Sequence, residues 1–162
     1  MRDAANNVVS GVLVRFATDS GSLQVVNDTT GANGTATALL TTLGDPTNRT
    51  ITVTASIGNL SSTNTVQVEG TTLSVSGVTT ITRGSTTRLT IFLRDSAGVG
   101  IQNRAIRVSS ALGNTLSAPT VTTDANGQAT VDVTGNVAGT DGITVAALGA
   151  TATAMLSVST SH

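Results

Sequence analysis

The chain has 162 residues, a net charge of −1 and no cysteine, which excludes disulfide cross-links and leaves no basic patch for binding phosphates. Its only aromatic residues are Phe16 and Phe92, so the flat rings that usually stack on nucleic-acid bases or sugars are almost absent. The one histidine is the terminal His162, which leaves no Ser/His/Asp or Cys/His arrangement to build. We expect no enzyme activity, no cofactor, no metal, no nucleic-acid partner and no direct membrane contact.

In the first half of the chain, short segments of alternating apolar and polar residues are separated by turns. Asn33 and Gly34 tolerate positive φ and predict a turn, which is followed by a strand near residues 36–40. The alternation predicts that one set of apolar residues faces a core: Val14, Phe16, Ile51 and Val53.

The joint between the two halves is short. A strand ending at Val68 runs almost directly into one beginning at Thr72, with no proline- or serine-rich tether between them. A joint of this length restricts the angle between two domains. The sequence therefore predicts domains at residues 1–69 and 70–162, held in a semi-rigid rod.

The second half alternates more regularly, with a period of two residues and no helical spacing. This pattern is typical of antiparallel sheets with one buried face. Strands are predicted near residues 72–78, 86–94, 104–109, 119–123, 127–134, 142–148 and 152–159. Residues with turn propensity interrupt them: Asp95, Gly98, Asp124, Asn126 and Gly127.

The two halves are similar to each other. Asp3 aligns with Asp95, 92 residues later, and residues 31–37 align with 124–130 one residue further on. Residues 51–55 align again at 92 with 143–147. A period near 90 residues fits one sandwich domain. The strands predicted between Thr72 and Arg94 have no counterpart before Asp3, so the first repeat is expected to lack its first strands and to have an open edge at residues 36–40.

These residues resemble the group 1 bacterial immunoglobulin-like domain, over residues 71–159 and, as a shortened copy, over 3–68. The resemblance is carried by residues 89–93, Arg94, Asp95, Gly98, residues 106–108, Gly113, Leu116, Thr123, Asp124, Asn126, Gly127 and Ala129. It implies tandem immunoglobulin-like β-sandwiches, the first lacking its N-terminal strands. The family builds the extracellular rods of intimin- and invasin-type adhesins.

The resemblance also implies a function. It points to a non-catalytic structural or adhesive module, a segment of a bacterial cell-surface rod that spaces or presents a binding tip. The parent protein would be anchored in the outer membrane and displayed outside the cell. Its partners would be neighbouring repeats of the same polypeptide and a host or surface receptor. An accessory role in a secreted enzyme or a phage tail fibre is the alternative.

Two local features allow more than one interpretation. Asp124 and Asn126 begin like a calcium-binding loop, but the glutamate that such a loop requires downstream is missing, which favours a hairpin turn. Phe92 alternates out of phase with its apolar neighbours. It is either covered at the flank of the domain or exposed as a contact residue.

Overall fold

The regular structure of the chain is entirely β. The computed structural model describes residues 1–160, and these contain fourteen strands and no helix. The expectation of an all-β chain is therefore confirmed. The strands belong to two compact units, Met1–Val68 (unit 1) and Glu69–His162 (unit 2). His162 itself lies outside the described residues.

Unit 1 has two small antiparallel sheets. Its strands are β1 (Arg15–Thr18), β2 (Ser22–Asn27), β3 (Thr37–Thr41), β4 (Arg49–Ile57) and β5 (Leu60–Val68). One sheet has the order β1-β4-β5, and the other pairs β2 with β3. Val14 and Ile51 are buried, as the alternation predicts. Phe16 and Val53 share that face of the alternation but are only half-buried.

Unit 2 has nine strands in two larger sheets. They are β6 (Thr72–Gly77), β7 (Thr80–Thr82), β8 (Thr86–Arg94), β9 (Ala105–Ser110), β10 (Thr115–Leu116), β11 (Thr120–Thr122), β12 (Gln128–Thr134), β13 (Gly139–Ala147) and β14 (Ala150–Ser159). The sheets have the orders β10-β12-β8-β6 and β11-β9-β13-β14-β7. All neighbours are antiparallel except β7, which runs parallel to β14.

The core of unit 2 lies between its two sheets. Successive side chains of a strand point to opposite faces, so every second residue of β8 is buried, and Leu89, Ile91 and Leu93 are at most 2% exposed. Buried residues of the neighbouring strand β12 and of the other sheet complete the cluster: Ala129, Val131, Val133, Ile106, Val108, Ile143, Val145, Leu156 and Val158. All are aliphatic, so the hydrophobic stabilisation comes from many medium-sized side chains.

Phe92 lies on the face of β8 opposite this core. Its ring is half-buried, and the guanidinium carbon of Arg94 lies 5.2 Å from the ring centroid. Gln128 of β12 and Ser74 of β6 flank it in the sheet. Phe92 is therefore partly covered and has a cation–π partner within its own unit.

The sequence missed two strands of unit 2. These are β7 and β10, which are only three and two residues long, too short for an alternating pattern to show. Tertiary pairing creates both of them. Ser157–Ser159 of β14 pair with β7, and Val133 and Thr134 of β12 pair with β10.

One part of the internal alignment was wrong. Phe16 of β1 pairs with Ala55, and its counterpart Val108 of β9 pairs with Val145. The β4–β5 hairpin therefore corresponds to the β13–β14 hairpin at an offset of 90 residues, not 92. Similar Ile-Thr-Val runs in both strands hide this shift, because a strand can slip by two residues without changing which face is apolar.

Candidate functional site

The Asp95 carboxylate closes the turn that follows β8. Its Oδ1 accepts hydrogen bonds from the backbone N–H groups of Ala97 and Val99, both at 2.9 Å. Gly98 has a φ of 79°, a left-handed conformation that glycine adopts without a Cβ penalty. The charge of Asp95 is therefore directed at its own backbone rather than at a ligand.

Asp124 builds the same kind of turn before β12. Its Oδ1 accepts from the backbone N–H groups of Asn126 and Gln128, at 2.8 and 2.9 Å. Gly127 has a φ of 72°, and a Cβ there would meet the carbonyl oxygen of Leu93 at 2.4 Å. Glycine is therefore required at position 127 by both conformation and space.

The structure brings these two turns together. A Cβ on Gly100, which follows the Asp95 turn, would meet the Asn126 carbonyl oxygen at 2.0 Å. The turns thus pack backbone against backbone, and glycines at the contact make that approach possible. No signal in the sequence indicates this contact, because it joins residues that are far apart along the chain.

Asp3 repeats the Asp95 turn in unit 1. Its Oδ1 accepts from the backbone N–H groups of Ala5 at 2.9 Å and Asn7 at 2.8 Å. The hydrogen bonds from the Asn7 backbone and side chain lower the pKa of Asp3. Asn6 takes the position of Gly98 and also has positive φ, at 67°.

The turn before β3 lacks the aspartate of its counterpart, because Gly31 stands where unit 2 has Asp124. Asn33 supplies an acceptor instead. Its Oδ1 takes hydrogen bonds from the backbone N–H of Thr35 at 3.2 Å and from the Thr35 hydroxyl at 2.7 Å. Gly34 has a φ of 74° and lies against Met1, where a Cβ would meet the Met1 carbonyl oxygen at 2.6 Å.

A buried threonine fixes a corner in each unit. Thr123 Oγ1 accepts from the backbone N–H of Arg104 at 2.9 Å and donates to the Ile101 carbonyl at 2.8 Å. In unit 1, Thr30 Oγ1 accepts from the backbone N–H of Val12, also at 2.9 Å. Both threonines are at most 3% exposed. In each unit the threonine hydroxyl thus forms hydrogen bonds with backbone groups of a loop outside the strands.

Sequence reasoning missed a buried carboxylate in unit 2. Asp141 of β13 is fully buried and accepts hydrogen bonds from the Ser110 hydroxyl at 2.6 Å and the Leu112 backbone N–H at 3.0 Å. It also accepts from the Asn114 amide at 2.8 Å. The sequence offers no signal for this role, since the alternation alone predicts an apolar residue, and unit 1 has Ile51 at this position.

The network continues from Asn114. Its Oδ1 accepts the backbone N–H groups of Asn136 and Val137, both at 2.8 Å. Burial raises the pKa of Asp141, but the hydrogen bonds from Ser110 and its neighbours favour the carboxylate and bring the pKa below its usual value. The network is satisfied internally and ties the loops at 111–114 and 135–138 to β13.

Unit 1 contains an apolar groove of about 440 Å³. The lining residues are mainly aliphatic or aromatic: Met1, Val14, Phe16, Ala36, Ala55, Ile57 and Leu60. Thr30, Gly34, Thr35, Ser61 and Ser62 complete the lining. The groove contains no titratable side chain, so its chemistry is that of a hydrophobic contact.

The described residues contain neither a group of metal-ligating side chains nor a membrane-spanning helix. Within residues 1–160, no three histidine, cysteine, aspartate or glutamate side chains come close enough to hold a metal ion. The same part of the chain has no helix of the length and apolarity needed to cross a membrane.

Comparisons with known proteins point to one family. The family model for the bacterial Ig-like domain (group 1) matches residues 71–159, more than half of the chain. No curated protein sequence matches the chain significantly.

One solved structure shows the same fold, and two others are less similar. The adhesin InvE of Yersinia pseudotuberculosis superposes with a TM-score of 0.51 and 24% identity, over 97% of this chain and 51% of that one. The D0–D1 domain of intimin gives 0.49 and 16%, over 97% and 86%. Invasin, a bacterial integrin-binding protein, gives 0.47 and 18%, over 99% and 34%. This chain therefore spans about half of InvE and a third of invasin. With its family model matched across unit 2, the chain belongs to the group 1 bacterial immunoglobulin-like domains.

Proposed function

We propose that this chain is a non-catalytic module of a bacterial cell-surface protein, in which it spaces and presents a binding tip. The observation that carries the proposal is the family match over residues 71–159. The likeness to the adhesin InvE supports it. So does the chemistry of unit 2, where the carboxylates of Asp95, Asp124 and Asp141 are all engaged by the protein's own donors.

We infer further that units 1 and 2 are tandem immunoglobulin-like domains, the first without its opening strands. The support is local and repeated. The Asp3 turn matches the Asp95 turn, and Thr30 makes the backbone contact that Thr123 makes. Repetition of this kind suits a rod built from copies of one domain.

The partners and location follow from this role. The parent protein would be anchored in the outer membrane and extend outside the cell. Its contacts would be neighbouring immunoglobulin-like repeats of the same polypeptide, and a receptor on a host or other surface would be bound by the tip.

A display experiment tests the proposal. The chain is inserted between an outer-membrane anchor and a binding domain of known receptor, and adhesion of the bacteria to receptor-coated surfaces is measured. We expect adhesion equal to or greater than that obtained when a flexible glycine–serine linker of equal length joins the anchor to the binding domain. The chain displayed without the binding domain should give no adhesion.

Two results would count against the spacer role. Adhesion by the chain alone would make it the binding tip, and loss of adhesion on insertion would mean that it does not present one. Flanking coding sequence that specifies a hydrolase or a tail-fibre domain, with no anchor, would support the accessory role instead.

A further inference from the structure

The outer face of the five-stranded sheet in unit 2 contains a groove of about 510 Å³. The lining of this arginine groove includes Arg107, Ser109, Pro119, Thr120, Thr144 and Ala146. Its volume lies within the usual range of small-molecule sites, about 300–1,000 Å³. We propose that the arginine groove binds a uronic acid residue of an acidic polysaccharide, with the sugar carboxylate on the Arg107 guanidinium and the sugar hydroxyls on the hydroxyls around it.

The strand register places the side chains of the groove in two rows. In the first row, Thr120 of β11 and Ala146 of β13 lie on either side of Arg107 of β9. In the second row, Thr144 lies beside Ser109. Residues directly opposite each other in a sheet are about 5 Å apart, and every second residue of a strand lies about 7 Å further along it. The polar groups therefore lie within the span of one sugar ring and its substituents.

Two features make this part of the sheet concave. Ala146 has only a methyl group beside the long side chain of Arg107. β11 begins at Thr120, because the preceding Pro119 has no N–H group with which to continue the ladder. Ser109 therefore has a strand neighbour on one side only, and the space on its other side is open.

The charge of Arg107 is available to a ligand. The side chain is exposed on the outer face, and no carboxylate within residues 1–160 forms an ion pair with it. None of the described residues that line the groove is acidic. A guanidinium binds a carboxylate through two parallel N–H groups, and such charge-assisted hydrogen bonds are stronger than neutral ones. The charge of the groove therefore favours a ligand that carries a carboxylate.

The hydroxyls of the groove favour a sugar over an acidic peptide. Within residues 1–160, the hydroxyls of Ser109 and Thr120 have no hydrogen-bond partner. The Thr144 hydroxyl is held by that of Thr153, with 3.0 Å between the two oxygens. A hydroxyl both donates and accepts, which matches the hydroxyls of a sugar ring. None of the described lining residues is aromatic, whereas protein and peptide contacts usually depend on aromatic anchors.

A uronic acid carries the complementary groups on one ring. Its carboxylate is attached directly to the ring, so it reaches Arg107 while the ring hydroxyls reach Ser109 and Thr144. The apolar atoms of Ala146 and Pro119 would contact the C–H groups of the ring. Because Arg107 is exposed, binding should weaken as the salt concentration rises. This inference does not depend on the spacer role, since the groove is built entirely from residues of unit 2.

The test uses the full chain, isotope-labelled for NMR, and a galacturonate oligosaccharide as the probe. We expect saturable chemical-shift changes at the backbone amides of residues 107–109, 120–122 and 144–146. The same oligosaccharide with its carboxylates methyl-esterified should bind about ten-fold more weakly or worse, because it can no longer form charge-assisted hydrogen bonds with Arg107. No saturable change with the galacturonate, or equal binding of the ester, would overturn the proposal.

Three variants distinguish the groove from a general attraction to positive charge. R107Q removes the cation and should weaken galacturonate binding by about ten-fold or more. A146L keeps the charge but fills the space beside it, and it should weaken binding to a similar degree. R15Q is the matched control and should bind like the wild type. Arg15 has the same strand position in unit 1, but Ala17 stands there in the place of Ser109.

Three further results would each overturn the proposal. An equal loss of binding in R15Q and R107Q would mean that the probe is attracted by charge alone. Unchanged binding by A146L would place the ligand outside the groove. An oligoglutamate that binds the wild type as tightly as the galacturonate would make the partner an acidic peptide. Arg107 is exposed, so R107Q should keep the fold and decides the outcome even where A146L unfolds unit 2.

Discussion

Asn114 and Asp141 lie 27 residues apart in the sequence but meet inside unit 2, where Asn114 Nδ2 donates to Asp141 Oδ2 at 2.8 Å. Asn114 is 4% exposed and Asp141 is fully buried. A buried carboxylate is tolerated only where donors replace the water it has lost, and here three groups do so. The contact holds a loop against β13, so its loss should lower the stability of unit 2.

Replacing Asp141 by asparagine should destabilise unit 2. The new amide would direct its N–H groups at donors such as the Leu112 backbone, leaving buried polar groups unpaired at a cost of about 2–4 kcal/mol. Urea denaturation, with exchange of unit 2 peptides as the readout, measures the change. D132N is the matched control. Asp132 pairs with Arg88 on the surface, so the control should have a much smaller effect.

The contribution of Asp141 should depend on pH. Its pKa lies below the ordinary value of 3.8 because hydrogen bonds favour the charged form in the folded state. A lowered pKa gives stability that is fully present above the unfolded value and is lost as the pH falls through the folded value. The stability difference between wild type and D141N should therefore be constant above about pH 5 and shrink below pH 3.8. A difference that grows in acid would contradict this assignment.

The buried residues Thr30 and Thr123 should contribute unequally to the stability of their units. T30V leaves the backbone N–H of Val12 without its acceptor, at a cost of about 1–3 kcal/mol to unit 1. T123V removes an acceptor for Arg104 and also a donor to Ile101, so it should cost unit 2 more. Serine at either position keeps the hydroxyl and should restore most of the loss. Exchange rates measured separately for each unit decide the comparison.

Restoring the missing turn aspartate should stabilise unit 1. G31D introduces the acceptor that Asp124 provides in unit 2 and reduces the freedom of the unfolded chain, a gain of about 0.5–1 kcal/mol. A Cβ on Gly31 meets only Asn33 Oδ1, at 3.4 Å. G34A is the contrasting variant. It must adopt a φ of 74° and meet the Met1 carbonyl, so it should destabilise the same unit. Equal effects of both variants on the thermal midpoint of unit 1 would mean that the turn does not limit stability.

Removing divalent cations should leave the protein unchanged. Asp124 Oδ1 is already engaged by two backbone N–H groups, which leaves an incomplete ligand set for calcium. Thermal unfolding with and without a chelator should give the same midpoint. A fall of several degrees would reveal an ion that stabilises the native state by mass action.

Much of the fold follows from local rules in the sequence. The alternation of Leu89, Ile91 and Leu93 with polar residues determines a half-buried strand, because successive side chains point to opposite faces. Asp95 with Gly98 determines a turn, since the carboxylate binds its own backbone and glycine permits positive φ. The presence of only two aromatic residues, Phe16 and Phe92, leaves few rings for stacking on bases or sugars.

Tertiary structure decided what depends on pairing between distant segments. The alignment of the last hairpins at 90 residues came only from the pairing of Phe16 with Ala55, because a slip of two residues leaves an alternating pattern unchanged. Asp141 can be buried because Ser110 and Asn114 donate hydrogen bonds to its carboxylate. These donors are distant in the sequence, so no local pattern predicts the contact. The apolar groove also became visible only in three dimensions, because exposure depends on which strand lies opposite, and Val66 and Leu156 are similar residues with different neighbours.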